Sequence, residues 1–136
     1  MNSEMEAVMI ERFAKDSLIA LATEAGGVPS VRAVTAYYMD GAFYCVTHAK
    51  SNKIKQIEKN PTVGLCGEWF TGHGRAQSLG HVLRGENRAL MDILRTAFAA
   101  WYANGHVNEA DPDTILLKIE LSDCVLMKHG KRYEMK

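Results

Sequence analysis

Thr47, Ser51 and Lys53 fall within the short run Thr47-His48-Ala49-Lys50-Ser51-Asn52-Lys53. Two hydroxyls and an ammonium are residue types suited to phosphate, because a phosphate dianion needs a cation and several N–H or O–H donors in one small volume. Their setting adds to their type. Ala42-Phe43-Tyr44-Cys45-Val46, just before, carries the aromatic and branched side chains of a strand. Just after, Ile54 and Ile57 lie three apart, on one face of a helix that Asn60-Pro61 must end. A helix opening there offers free first-turn N–H groups and about half a unit of positive charge. The stretch is therefore a candidate phosphate site. Taken singly, each residue has a plainer role: Ser51 as an N-cap is worth about 1 kcal/mol of helix stability, and Arg32, upstream in a strand-like run, is ordinarily a solvated outward side chain.

Other chemistries find less support. His48, His73, His81, His106 and His129 form no helical i, i+4 pair and have no Cys-x-x-Cys partner, so no metal site is expected. Only His48, beside the candidate phosphate site, stands out. Gly72, Gly74, Gly80 and Gly85 lack the strand–turn–helix context of a dinucleotide fold. Cys45, Cys66 and Cys124 are odd in number and each sits among apolar neighbours, which suits reduced core thiols. Sixteen basic and sixteen acidic residues cancel, which removes the electrostatic footprint of nucleic-acid or membrane-surface binding. No apolar run reaches the ~20 residues of a membrane helix, and the start of the chain is acidic where a signal peptide is basic, so a cytoplasmic location is expected.

The elements that must position these residues follow from periodicity. Ser3 and Glu6 fit a capping box for an amphipathic helix carrying Met5, Val8, Met9 and Phe13 and running to about Lys15. Strands are expected at 17–23, 28–39 and 42–47, with Asp40-Gly41 as a tight hairpin turn. After the central helix, strands are expected at 62–70 and 75–84, joined by a turn at Thr71-Gly72-His73-Gly74. Asn87 is placed to cap a helix from Arg88 to about Tyr102, with Phe98 and Trp101 as core or contact residues. A last strand spans 114–126, and 103–113 is the longest irregular segment. The fold class is α+β: a small antiparallel barrel of about six strands with flanking helices, one domain over residues 1–136.

This order of elements, with Ser30-Val31-Arg32-Ala33-Val34, Ser51-Asn52-Lys53 and Asn60-Pro61-Thr62-Val63, resembles the pyridoxamine 5'-phosphate oxidase-like family of flavin-binding split β-barrels. The resemblance spans nearly the whole chain. It implies a homodimer with FMN in clefts at the subunit interface. Arg32, Ala33 and Val34 would lie along the flavin, with Arg32 also near the phosphate. Thr47 and Ser51 would supply hydroxyls, and Lys53, preceded by Asn52, would neutralise the phosphate. Arg75 and Gln77 would reach across from the second subunit, and Trp69 would line the same cleft. Authentic pyridoxamine phosphate oxidases carry a second basic residue where this chain has Asn52, and a C-terminal Trp- and Arg-containing motif that is absent from Lys128 to Lys136. Vitamin B6 synthesis is therefore not expected.

The expected function is a small FMN-dependent oxidoreductase, a flavin reductase or relative that moves electrons from a reduced nicotinamide donor to an unidentified acceptor. The alternative is a protein of the same fold that holds flavin, deazaflavin or haem without turnover, because one fold hosts many activities.

Overall fold

The computed structural model describes all 136 residues. Its elements are α1 (Ser3–Phe13), β1 (Ser17–Ala25), β2 (Val28–Met39), β3 (Ala42–His48), α2 (Asn52–Lys59), β4 (Thr62–Gly67), β5 (Phe70–His81), α3 (Arg88–Ala97), β6 (Thr114–Lys128) and β7 (Lys131–Met135). A single 3-10 turn, Gly85–Asn87, precedes α3. The strands run in the order β3-β2-β1-β4-β5-β6-β7, all antiparallel, and β3 also pairs with β6. That last pairing closes six strands into a barrel, with β7 hanging from the far end of β6.

The closure is incomplete in one place, and the site is built there. β2 and β3 bridge only at Tyr37–Tyr44, Tyr38–Phe43 and Met39–Ala42, beside the Asp40-Gly41 turn. Beyond those pairs β2 stays with β1 as far as Val28, while β3 stays with β6 as far as His48. The two strands diverge, leaving facing backbone edges on either side of a split. Both turn residues have positive φ, 49° for Asp40 and 81° for Gly41, as a tight hairpin requires.

The barrel interior is filled by alternate residues of the strands and by α1. Met5, Val8, Met9 and Phe13, one face of that helix, are all buried. Phe13, Phe43 and Phe70 meet edge-on or tilted, with centroids 5.3–5.7 Å apart. A second apolar cluster lies outside the barrel, where Met91, Leu94 and Phe98 cover Ala42, Tyr44 and Leu116. Strand β6 is thus buried on both faces at its start, which breaks the in–out alternation expected there.

Several local expectations are corrected. Asn2, not Ser3, caps α1 by accepting the Met5 N–H at 2.8 Å. Glu6 then reaches the Tyr38 hydroxyl and not back to its own helix start. Thr71 to Gly74 form strand, not turn; the turn is Glu68-Trp69, with Trp69 at φ 50°. Gly72 and Gly74 serve close strand approach: a Cβ on Gly72 would lie 2.6 Å from the Asp123 carbonyl oxygen, and one on Gly74 2.7 Å from that of Glu120. A bulge between His73 and Gly74 accompanies that approach. Asn87 does not cap α3; its amide donates to the Leu79 and His81 carbonyls, and the helix ends at Ala97. Cys66 is exposed on β4, whereas Cys45 and Cys124 are core thiols, burial pushing them up to about 12 and about 11. Strand β7, unforeseen, is set by the positive-φ pair His129-Gly130.

Candidate functional site

The split between β2 and β3 holds a cavity of about 210 Å³ lined by Ala33, Val34 and Thr35 on one side, Cys45, Val46 and Thr47 on the other, and Lys53 and Trp101. Helix α2 plugs the open end of the barrel beside it, with Ile54 and Ile57 in the core. That anchoring turns the start of α2 toward the split. Ser51 sits at the N-cap with extended backbone, φ −68° and ψ 157°, yet its side chain makes no capping hydrogen bond. Its hydroxyl oxygen is buried and is the one buried side-chain polar atom without a partner. A buried, unsatisfied hydroxyl beside free first-turn N–H groups calls for a ligand acceptor.

Arg32 corrects the outward reading. Its guanidinium turns into the barrel mouth and donates to the Leu21 carbonyl at 3.2 Å, to Thr23 Oγ1 at 2.8 Å and to Gln56 Oε1 at 3.4 Å. All three acceptors are neutral, so the positive charge has no carboxylate against it. Burial lowers the Arg32 pKa. Lys53 is held below the ordinary lysine value by burial, against an opposing effect of Cys45 and with a lesser contribution from the nearby Arg32. Two half-buried cations that repel each other form a site primed for an anion.

Gln56 and Thr23, which carry no phosphate-type motif of their own, position Arg32. Gln56 accepts from the Thr23 hydroxyl and donates to Ser30 Oγ at 3.3 Å, tying α2 to β1 and β2. Its spacing of three from Lys53 places both on one side of α2, a signal available in the sequence. Trp101, expected as a core or contact residue, stacks on Phe98 at 5.0 Å and lines the cavity, its indole N–H donating to Asp16 at 3.1 Å. Asn52 is exposed at the first turn of α2.

Of the remaining expected residues, Arg75 and Gln77 lie on the outer face of β5, opposite β2 around the barrel. Within one chain they do not meet the cavity. Trp69 lies farther off. The cavity is at the Thr114 end of β6, where His48 pairs, whereas the Glu68-Trp69 turn is at its Leu126 end. His48 Nε2 is 3.1 Å from Asp111, and its Nδ1 accepts the Lys50 N–H at 3.2 Å, so both ring nitrogens are engaged. Asp113, beside them, faces Lys50 Nζ at 3.4 Å.

One outer face of the barrel is uncovered. Val31, Ala33 and Thr35 of β2 sit opposite Ala22, Ala20 and Leu18 of β1, which in turn flank Gly64 and Cys66 of β4. Leu18 and Val31 are 71% and 70% exposed. The face runs from the edge of the cavity round to His73 and Arg75 of β5, which pair with Gly64 and Thr62 of β4.

A family model described as pyridoxamine 5'-phosphate oxidase matches residues 5–128. Among solved structures the chain is similar to general stress protein 26 from Bacillus anthracis, with a TM-score of 0.73 at 17% identity over 97% of this chain and 99% of that one. It is similar to an FAD-binding protein from Mesorhizobium loti, with a TM-score of 0.69 at 16% identity over 90% and 92%. It is also similar to a haem-binding protein from Mycobacterium smegmatis, with a TM-score of 0.69 at 17% identity over 100% of this chain and 58% of that one. At these identities the likeness concerns the fold. No curated protein sequence matches the chain.

Proposed function

We propose, from the premise that this chain belongs to the pyridoxamine 5'-phosphate oxidase family, that it binds FMN in the β2–β3 split and works as a small oxidoreductase. The observation that carries this reading is the buried, unpartnered Ser51 hydroxyl at the mouth of α2, beside Lys53 and Arg32. These groups meet the needs of a terminal phosphate: two cations, a hydroxyl and helix N–H groups. Thr47 adds a second hydroxyl along the ribityl chain. The divergent strand edges at Ala33–Thr35 present backbone N–H and C=O groups to the polar rim of a flat ring, and small side chains there admit it closely. Trp101 closes the wall. When bound, FMN supplies the hydride and electron chemistry, and the protein orients it.

A cavity of about 210 Å³ is smaller than the roughly 300–1,000 Å³ of a cofactor site, so one chain holds only part of the ligand. A second copy packed on the uncovered β2-β1-β4 face would complete it, and Arg75, at the β5 border of that face, with Gln77 next along the outer side of β5, would then approach the partner's cleft. The reading is thus a homodimer with shared sites. Reduced nicotinamide is the proposed donor, and the acceptor is left as a small molecule entering the shared cleft. Haem fits less well: no histidine lines the cavity, and His48, next in sequence to Thr47, has its nitrogens held by Asp111 and the Lys50 N–H.

Purified protein should be yellow with stoichiometric flavin, and NADH or NADPH added without oxygen should bleach it. Ser51→Ala should weaken FMN binding while leaving the urea midpoint of the ligand-free protein nearly unchanged, since no cap bond is lost. Protein that stays colourless with added FMN would overturn the reading, and bound but unreactive flavin would reduce it to a carrier.

A further inference from the structure

A cavity of about 620 Å³ lies at the other end of the barrel, between the C-terminus of α1 and the tips of the β4–β5 and β6–β7 hairpins. Its walls include Arg12, Lys15, Trp69, Met127, Lys128 and His129. Trp69 is 72% exposed and sits at φ 50°, a left-handed backbone position uncommon for a bulky side chain. The turn is fixed in that form from two sides. The Arg12 guanidinium donates to the Glu68 carbonyl at 3.0 Å, and the Met127 N–H donates to the Trp69 carbonyl at 2.9 Å. A large apolar ring is therefore held out over a cavity and does not fold back onto the core.

The charge around that ring is unbalanced. Lys128 is paired with Glu11 at 3.1 Å, which neutralises both. Arg12 has only a carbonyl acceptor, and Lys15 takes part in no ion pair, which leaves two cations against the single carboxylate of Glu68. An indole face for stacking, next to a guanidinium with no carboxylate partner and an unpaired ammonium, suits a flat aromatic ring that carries a negative group. We infer that this cavity is a second ligand site, separate from the β2–β3 split, for an aromatic anion of nucleotide size, with Trp69 stacking on the ring and Arg12 and Lys15 holding its phosphate or carboxylate.

The inference does not depend on flavin binding, and its test separates the two. AMP and benzoate, as aromatic phosphate and aromatic carboxylate, are titrated calorimetrically into the full chain and into Trp69→Gly, Arg12→Gln/Lys15→Gln and Lys53→Ala variants. Glycine is chosen because φ 50° suits it, so the turn survives loss of the indole. At least one probe should bind, and its affinity should fall about tenfold or more in Trp69→Gly, as expected for loss of stacking. The paired charge variant should weaken it similarly, and Lys53→Ala should leave it unchanged. The tighter probe identifies the anionic group. No binding of either probe at about 5 mM, binding indifferent to Trp69→Gly, or binding lost in Lys53→Ala would each overturn the second site.

Discussion

Lys53 is the residue at which stability and binding oppose each other. Burial, the largest effect on it, disfavours its charged form, so the unfolded chain holds that proton more readily than the folded one. The sign follows: below the ordinary lysine value of 10.5, charged Lys53 destabilises the fold, and the penalty fades as pH rises through the lowered folded value toward 10.5. Lys53→Met should therefore raise the urea midpoint of the ligand-free protein at about pH 7 and give a smaller gain at about pH 10. The same change should weaken FMN binding. A lower midpoint at neutral pH would mean that the ammonium is satisfied in the ligand-free protein. Arg32 differs because its three neutral acceptors hold it in place, so its loss would free Thr23 and Gln56 as well.

Among the elements, β5 and β6 carry the barrel's tightest contact. Gly72 and Gly74 point inward and bring β5 against β6 with no room for a side chain. Gly72→Ala should destabilise the protein by about 2 kcal/mol or more, because the new Cβ meets backbone and not a flexible side-chain end. Chemical denaturation measures this, and a loss below about 0.5 kcal/mol would show that the strands can separate freely there. These glycines also explain why a strand stands where turn residues are expected. Thr71-Gly72-His73-Gly74 has turn composition, yet its glycines answer to a neighbouring strand that local sequence does not reveal. Helix α2, by contrast, was legible, since its isoleucine spacing and Asn-Pro exit are local signals.

For the whole molecule, the uncovered β2-β1-β4 face and the partial cavity make one argument. Both are explained if a second chain packs there, and the proposed dimer joins assembly to cofactor binding. Leu18→Glu should place a charge on that face, shift the protein to monomer in sedimentation and lower FMN affinity together with it. The chain itself should still fold, because Leu18 is 71% exposed. A monomeric variant that binds FMN as the parent does would show that one chain suffices for the site.

Periodicity and turn chemistry by themselves determined the strand pattern through β3, the Asp40-Gly41 hairpin, helix α2 and the phosphate-type residues at its start, because each depends on neighbours a few residues away. Only the tertiary structure decided that β2 and β3 separate, that Arg32 turns inward to meet Gln56 and Thr23, that Ser51 is left without a partner, and that Trp101 lines the cavity while Trp69 stands at the opposite end. Those facts depend on which strands close the barrel, and closure is set by the pairing of β3 with β6, residues some seventy positions apart in the chain. Local sequence constrains what a residue offers; the long-range pairing decides what it faces.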